Sequence, residues 1–302
     1  MNIAYRFRIY PTEEQKILLG KTFGCCRFLY NQMLNDKIRE YEKTKKMLKN
    51  TPAMYKKEYP FLKEVDSLAL ANVQLHLEKA YKNFFRDPKI GFPRFKSKHH
   101  SKNSYTTNVV NGNILVESKR IRLPKLKWIA MKKHREPAEG LRLKSVTVSM
   151  EPSGKYFASL LYEGYSCENQ AAEPDYSTAK ILGIDYAMQG MAVFSEKVET
   201  EEAGFFRKNE KRLAREQRKL SRCVRGSHNY ELQKKKVARC HEKIRNQRRD
   251  HLHKLSRKIA DGYDAAAVED IDMKAMGQCL HFGKSVQDNG YGMFREMLDY
   301  KL

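Results

Sequence analysis

Two apolar runs, each of which leads into a carboxylate, constrain this chain most. One is AKILGIDYAMQGMAVFS at 179–195, which the alternation of apolar runs and turn residues predicts to be two short strands, with Asp185 at the end of the first. The other is AAAVEDID at 265–272, in which Glu269 follows a run of small apolar residues. A buried carboxylate is costly unless a cation compensates it. We therefore expect Asp185 and Glu269 to share a divalent-metal site in a sheet.

An ordinary α/β sheet explains the same two acids without a metal. In that alternative Asp185 is a strand terminus and Glu269 is a helix N-cap. Two acids do not define a site by spacing alone, so both explanations stay open at this point.

The balance of charge indicates a polyanionic partner. The 302 residues include 59 Lys and Arg against 36 Asp and Glu, which gives a formal net charge of +23. Such an excess repels itself in a compact state and is typical of nucleic-acid-binding proteins. Hydrophobic residues make up 41%, so the chain is not a disordered basic tail.

No apolar run is long enough to span a membrane, and the N-terminus lacks a signal-peptide core. We expect a soluble, cytoplasmic protein without a membrane partner or a small-molecule substrate. The six cysteines form no CxxC pair, so the spacing supports no zinc site and favours reduced thiols.

The first half of the chain predicts a barrel with a helical insertion. Residues 3–10 alternate as a half-buried strand, with Phe7 and Ile9 on the apolar face and Arg6 on the basic outer face. Thr12 is placed to cap a helix that runs to about Tyr41, and residues 67–85 form a second helix. Between 104 and 163 the pattern predicts short strands at 104–110, 113–117, 120–123, 143–150 and 156–163. We expect a small β-barrel from 1–10 and 104–165, with a helical unit over 11–103 inserted in it and a polar linker at 166–178.

The loop GFPRFKSKHHSKN at 91–103 alternates aromatic and basic residues. Aromatic stacking combined with cations that reach phosphates is what irregular or unpaired nucleic acid requires. The candidate contacts are Arg94, Lys96, Lys98 and Lys102. A plain basic surface loop, anchored by Phe92 and Phe95, is the open alternative.

Residues 205–262 predict a helical hairpin with a thin apolar seam and a strongly cationic remainder. Acids are too few to pair the cations, whereas a merely solvated face carries both signs of charge. We therefore expect this hairpin to bind nucleic acid. The candidate contacts are Arg215, Arg218, Lys219, Arg222, Arg248 and Arg249.

Several ordered motifs together carry a family resemblance that covers nearly the whole chain. They are YRFRIYPTEEQ at 5–15, GFPRFKSK at 91–98, GKYFAS at 154–159, LGIDYAMQGMAV at 182–193, REQRKLSR at 215–222, HEKIRNQRRDHLHKLS at 241–256 and VEDIDMKAM at 268–276. In these motifs the chain resembles TnpB, the OrfB-type protein of bacterial insertion sequences and a relative of type V CRISPR effectors.

The resemblance implies an α+β multidomain fold. Its parts are a wedge-like β-barrel with a helical recognition insert, then an RNase H-like RuvC domain over 179–302 that the basic hairpin interrupts. The implied activity is RNA-guided cleavage of double-stranded DNA, with a guide RNA from the transposon end and Mg²⁺ or Mn²⁺ as cofactor. The first two RuvC acids map onto Asp185 and Glu269.

The sequence departs from the family pattern after the helix predicted at its end. The family's final strand, zinc ribbon and third catalytic acid have no counterpart here, and Asp270, Asp272, Asp288 and Asp299 fit the third acid poorly. We therefore expect impaired cleavage from a shortened RuvC domain. The alternatives are a nuclease-dead RNA-guided DNA binder, acting as a repressor or accessory factor, and a general basic RNA- or DNA-binding protein.

Overall fold

The computed structural model describes residues 2–98, 100–164, 178–187, 191–200, 204–272 and 288–302. The chain divides into two compact units, unit 1 at Met1–Glu168 and unit 2 at Asn169–Leu302. The linker predicted at 166–178 lies outside the described residues except for Thr178.

Unit 1 contains a seven-stranded antiparallel sheet. Its strands are β1 (Asn2–Tyr10), β2 (Asn103–Asn108), β3 (Leu115–Val116), β4 (Arg120–Leu123), β5 (Lys127–Lys132), β6 (Arg142–Met150) and β7 (Tyr156–Glu163). Their order is β2-β6-β7-β1-β5-β4-β3. The edge strands β2 and β3 have no recorded pairing with each other in the described part of unit 1, so closure of the sheet into a barrel stays a prediction.

The sequence patterns do not predict strand β5, and the reason lies in the turn before it. The turn before it puts Lys125 and Lys127 at φ of 64° and 57°. This left-handed region favours glycine, asparagine or aspartate, and lysine gives no turn signal there.

The helices of unit 1 are α1 (Glu13–Thr44), α2 (Pro52–Glu58) and α3 (Ser67–Arg86). The predicted cap of α1 is confirmed, because Thr12 and Gln15 form a capping box. The Gln15 amide also donates to the carbonyl oxygens of Leu126 and Trp128, both at 2.9 Å, which ties the start of α1 to β5. Helix α2 was not predicted, since seven residues are too few for a periodic pattern.

One hydrophobic core joins the helices of unit 1 to its sheet. Phe7 and Ile9 of β1 are buried in the same cluster as Leu29 of α1 and Leu70 of α3. The helices therefore cover the apolar face that the alternation in β1 predicts.

Unit 2 contains a three-stranded sheet in the order β10-β8-β9. Its strands are β8 (Ile181–Ala187), β9 (Met191–Phe194) and β10 (Ala265–Val268), and its helices are α4 (Phe205–Ser221), α5 (His228–Gly262) and α6 (Tyr291–Asp299). Strand β10 runs parallel to β8, whereas β9 runs antiparallel to it. Leu252 and Ile259 of α5 and Phe294 of α6 share a core with Leu182 and Ile184 of β8, so these helices cover one face of the sheet.

The described residues thus form a mixed fold with one large antiparallel sheet and six α-helices. None of the described helices has the length and apolar character needed to cross a membrane.

Candidate metal site and nucleic-acid surface

The two predicted metal ligands lie on neighbouring parallel strands. Asp185 is in β8, and Glu269 directly follows β10. The parallel register sets Val268 opposite Ile184, so continuing it by one residue sets Glu269 beside Asp185. Neighbouring strands lie about 4.8 Å apart, and paired residues of a sheet point to the same face. The register therefore brings both carboxylates to the same face of the sheet, near the C-terminal ends of β8 and β10.

A close approach of backbones shapes the strand that carries Asp185. Gly183 donates its N–H to Ser195 Oγ and accepts from the Ser195 N–H through its carbonyl, both at 2.9 Å. A Cβ at position 183 would lie 3.2 Å from the Ser195 Cβ, tighter than an ordinary contact. Glycine two residues before Asp185 thus lets β8 and the end of β9 meet closely.

Side chains at the start of α6 hold the far end of β8. Tyr291 donates its hydroxyl to the carbonyl of Ala187 at 2.5 Å, and its ring centroid lies 4.7 Å from that of Tyr186. The Asn289 amide donates to Tyr291 Oη at 2.7 Å. These contacts fix the backbone on the C-terminal side of Asp185.

The prediction that these carboxylates are buried is wrong. Asp185 and Glu269 are both exposed, because the buried face of β8 carries Leu182, Ile184 and Tyr186 and the alternation puts Asp185 on the other face. Desolvation therefore does not force a cation between them. The strand register and the chemistry of the two carboxylates still favour a metal at this position.

The donor set matches what a hard divalent cation needs. Across the described residues, no group of three or more His, Cys, Asp or Glu side chains could hold a metal ion. Mg²⁺ is commonly held by only one or two carboxylates, with waters and substrate phosphate oxygens completing the shell. Two exposed carboxylates at one sheet edge fit that pattern.

The structure gives two other acids different partners. Asp270 accepts from Arg295 Nη1 at 2.9 Å on the surface. Asp288 is buried, accepts from the backbone N–H of Phe206 at 2.9 and 3.1 Å, and pairs with Arg248 at 3.3 Å. It therefore caps the start of α4 and neutralises a side chain of α5.

Helices α4 and α5 span the residues for which the sequence predicts the basic hairpin. Leu213, Cys240 and Ile244 form the buried part of the seam between them. The candidate contacts Arg215, Arg218, Lys219, Arg222 and Arg249 are all exposed. A narrow seam thus leaves most of both helix surfaces to the cations.

Ion pairs are unevenly distributed along this hairpin. Near the end of α5, Lys254 pairs with Asp250 at 2.7 Å and Arg257 with Asp261 at 2.8 Å. Arg218 has no recorded ion pair within the described parts of the chain. On the same helix, Arg215 and Lys219 lie 3.6 and 3.8 Å from Glu216, an acid that both cations share.

A groove of about 250 Å³ runs between the two helices. Five cations line it, namely Arg212 and Lys219 from α4 and Lys236, Arg239 and Lys243 from α5. One acid, Glu216, also lines it. The Gln233 amide donates to Glu216 at 2.7 Å and is the main cause of its lowered pKa, so this carboxylate is engaged within the hairpin.

Four of the five groove cations are not among the predicted contacts, namely Arg212 of α4 and Lys236, Arg239 and Lys243 of α5. Lys236, Arg239 and Lys243 follow an i, i+3, i+7 spacing, which places them on one helix face. That spacing is visible in the sequence. The groove itself depends on which face of α5 meets α4.

Arg248 has a different environment from the other predicted contacts. Its side chain is 19% exposed and pairs with Asp288, whose side chain is 4% exposed. The guanidinium is thus committed to an interior partner. Arg248 is therefore not part of the proposed nucleic-acid surface.

The basic loop also separates into two environments. Arg94, Lys98 and Lys102 are exposed, as expected for residues that reach phosphates. Lys96 is half-buried, and its Nζ lies 3.9 Å from the centroid of the Tyr30 ring. Phe92 packs edge-on against Tyr81 at 5.5 Å, so this aromatic residue helps to anchor the loop.

Comparison with known proteins matches two family models. The model OrfB_IS605, described as "Probable transposase", matches residues 164–279. A model described as "Helix-turn-helix domain" matches residues 1–46, whose described part contains β1 and the single long helix α1.

Two curated relatives match almost the whole chain. One, "Putative RNA-guided DNA endonuclease" of Streptomyces pristinaespiralis, is 31% identical over 310 residues, covering 99% of this chain and 74% of the relative. The other, "Putative RNA-guided DNA endonuclease InsQ" of Escherichia coli (strain K12), is 30% identical over 325 residues, covering 99% and 77%.

A solved complex of Cas12f1 with sgRNA and target DNA aligns with 100% of this chain and 82% of its own at 13% identity and a TM-score of 0.29. A TM-score of this size does not establish a shared fold. The family model and the two relatives confirm the resemblance seen in the motifs. The chain belongs to the TnpB/OrfB family of insertion-sequence transposases, whose relatives are named as RNA-guided DNA endonucleases.

Proposed function

We propose that this chain is an RNA-guided DNA endonuclease that binds a guide RNA and a double-stranded DNA target and cleaves the DNA with a divalent metal. The names of the two relatives that match 99% of this chain support this activity. The parallel register that sets Glu269 beside Asp185 is the structural observation that carries it.

In this proposal Asp185 and Glu269 hold Mg²⁺ or Mn²⁺. A bound ion of this kind activates water and stabilises the charge that develops on a phosphodiester. The exposed edge on which both carboxylates lie leaves room for a backbone phosphate to approach. The hydrogen bonds from Tyr291 and Ser195 fix the strand, so Asp185 is positioned before any ligand arrives.

The cationic surfaces bind the nucleic acids. On the hairpin the contacts are Arg215, Arg218, Lys219, Arg222 and Arg249, joined by the groove residues Lys236, Arg239 and Lys243. On the loop they are Arg94, Lys98 and Lys102. Charge compensation of phosphates supplies affinity here, whereas base pairing with the guide supplies sequence specificity.

The domain plan follows the same proposal. Residues 1–10 and 104–165 act as a wedge-like barrel, 11–103 as a recognition insert, and 179–302 as a RuvC-like domain of RNase H type. The guide RNA derives from the transposon end. A chromosomal target places the working protein at the bacterial nucleoid.

The test is a paired cleavage and binding assay. The full chain is mixed with RNA transcribed from its flanking region, Mg²⁺ and a matched DNA duplex. We expect cleavage that Asp185→Asn abolishes while RNA binding is kept, since Asp185 lies outside the hairpin and the loop. Mn²⁺ binding by calorimetry gives a second readout and should weaken in the same variant.

Asp299→Asn is the matched control, because Asp299 is an exposed acid of unit 2 outside the proposed site. Guided binding without cleavage by the parent chain would refute the endonuclease activity and bear out the prediction of impaired cleavage. An unchanged Mn²⁺ titration in Asp185→Asn would show that this carboxylate is not a ligand.

A further inference from the structure

Unit 1 contains a pocket of about 170 Å³ that belongs neither to the carboxylate site nor to the hairpin. Helices α1 and α3, strand β2 and the basic loop contribute its lining. Cavities for drug-sized ligands begin at about 300 Å³, so this pocket suits a smaller group.

Four basic side chains converge on this pocket from three parts of the chain. Arg27 comes from α1, His76 from α3, and Lys96 and Lys102 from the basic loop. No aspartate or glutamate is found among the described residues that line it. The buried carboxylate of Asp66 lies outside the lining, where it caps α3 by accepting from the Leu68 N–H at 3.0 Å.

The position of Lys96 is fixed before any ligand binds. Asn31 accepts from the Lys96 N–H at 2.8 Å, and its amide donates to the Lys96 carbonyl at 2.9 Å. The Lys96 ammonium lies over the Tyr30 ring. Two backbone hydrogen bonds and a cation–π contact therefore hold this part of the loop on α1.

The pocket holds positive charge in a partly dry environment. Burial lowers the pKa of Lys96. Partial desolvation, and then the charges of Lys96 and Lys79, lower the pKa of His76. Burial is the largest cause of both shifts, and an anion bound beside these groups would compensate the buried positive charge.

The remaining lining suits an oxyanion with an apolar neighbour. Ser101, Ser104 and Thr106 bring hydroxyl groups, whereas Phe23 and Tyr105 form an apolar part with ring centroids 5.9 Å apart. Phosphate oxygens accept from ammonium, guanidinium and hydroxyl groups alike. A sulfate-like or phosphate-like group matches this set, and a neutral small molecule does not.

We propose that this pocket binds one phosphate group of a nucleic-acid backbone, with Arg27, Lys96 and Lys102 as its charged donors. It thereby anchors the nucleic acid on unit 1, separately from the hairpin of unit 2. The proposal deepens the proposed function, which already includes Lys102 among the nucleic-acid contacts, and it rests on that function in that the chain binds nucleic acid.

The first test measures affinity and its salt dependence by fluorescence anisotropy, using the full chain. The probes are a short unstructured single-stranded RNA and a DNA duplex of the same sequence. For the double variant Arg27→Gln/Lys96→Gln we expect binding of the RNA or of the duplex, whichever places a phosphate in the pocket, to weaken about tenfold to a hundredfold. Its salt slope should fall by about 0.7 for the RNA or about 0.9 for the duplex.

Two matched variants separate the possible causes. Lys43→Gln/Lys46→Gln removes the same charge from exposed positions of unit 1 outside the pocket and should leave the affinity nearly unchanged. Arg218→Gln/Arg222→Gln weakens the hairpin instead. Circular dichroism melts of each variant check that the fold is kept.

The second test locates the contact by labelling lysines with an acetylating reagent and reading each site by mass spectrometry. The arms are RNA, DNA duplex and inorganic phosphate. We expect protection of Lys96 and Lys102 but not of Lys43. Protection by inorganic phosphate alone identifies an ion site without a nucleic-acid role and would overturn the proposal.

The outcomes also separate this proposal from the proposed function. Full affinity and full labelling of Lys96 in the bound state, with binding lost in the hairpin variant, would overturn the pocket and keep the nucleic-acid-binding protein. No measurable binding of either probe by the parent chain would overturn both.

Discussion

Replacing Asp288 by alanine should destabilise unit 2 strongly. Its carboxylate makes two interactions. It accepts from the Phe206 N–H at 2.9 and 3.1 Å, and it pairs with Arg248 at 3.3 Å. Both partners are distant in sequence, so one side chain ties α4 and α5 to the segment that leads into α6.

The magnitude follows from these two contacts. Loss of a helix cap costs about 1 kcal/mol. Breaking a buried ion pair by removing one partner costs about 3–5 kcal/mol, because the other charge stays buried without compensation. The Arg248 side chain remains 19% exposed, which favours the lower end of that range. We expect the free energy of unfolding to fall by about 3–4 kcal/mol in total, a loss of about 8–12 °C in Tm.

The assay is a thermal and urea denaturation series on the full chain, followed by circular dichroism. Asp299→Ala is the control, since it removes an exposed acid at the end of α6 and should change the stability by less than about 0.5 kcal/mol. A double-mutant cycle with Arg248→Ala isolates the ion pair, and we expect a coupling energy of about 1–3 kcal/mol.

An Asp288→Ala variant that unfolds at the same temperature as the parent chain, or a cycle without coupling, would refute this expectation. Either result would mean that Arg248 relaxes to solvent when its partner is removed. Arg248 would then return to the proposed nucleic-acid surface.

Four further outcomes can be measured. Tyr291→Phe removes the hydroxyl that donates to Ala187, so the free energy of unfolding should fall by about 1 kcal/mol in urea titrations. Burial raises the pKa of Cys26 from 9.0 to about 12, so iodoacetamide should label the half-exposed Cys223 first in the native protein, and equal rates would contradict the burial of Cys26. The pKa of the Cys26 thiol is higher in the folded state than in the unfolded chain, so the free energy of unfolding should decrease as the pH rises above about 9. RNA binding by the exposed cations of α4 and α5 should weaken steeply with added salt, and a flat dependence in anisotropy titrations would exclude this surface.

Local patterns in the sequence determined much of the secondary structure. The alternation in β1 correctly predicted that Phe7 and Ile9 are buried and that Arg6 is exposed. The Thr12 cap and the start of α3 at Ser67 were also predicted. These features depend on residues a few positions apart, so the sequence contains all of the interacting partners.

The motifs likewise determined the family and pointed to Asp185 and Glu269. Their burial was predicted wrongly, because an apolar strand does not reveal which of its faces is covered. Only the packing of α5 and α6 on Leu182 and Ile184 decided that Asp185 lies on the other face. The parallel register that aligns the two acids is likewise a contact between segments far apart in the chain.

Tertiary structure alone decided which basic residues are free to bind. In the sequence Arg248 and Arg249 are equivalent neighbours, yet Arg248 pairs with a buried aspartate and Arg249 is exposed. Lys96 similarly differs from the other lysines of its loop, because Asn31 and Tyr30 hold it on α1. Charge and spacing are properties of the sequence, whereas solvent access and counter-ions arise from residues that only folding brings together.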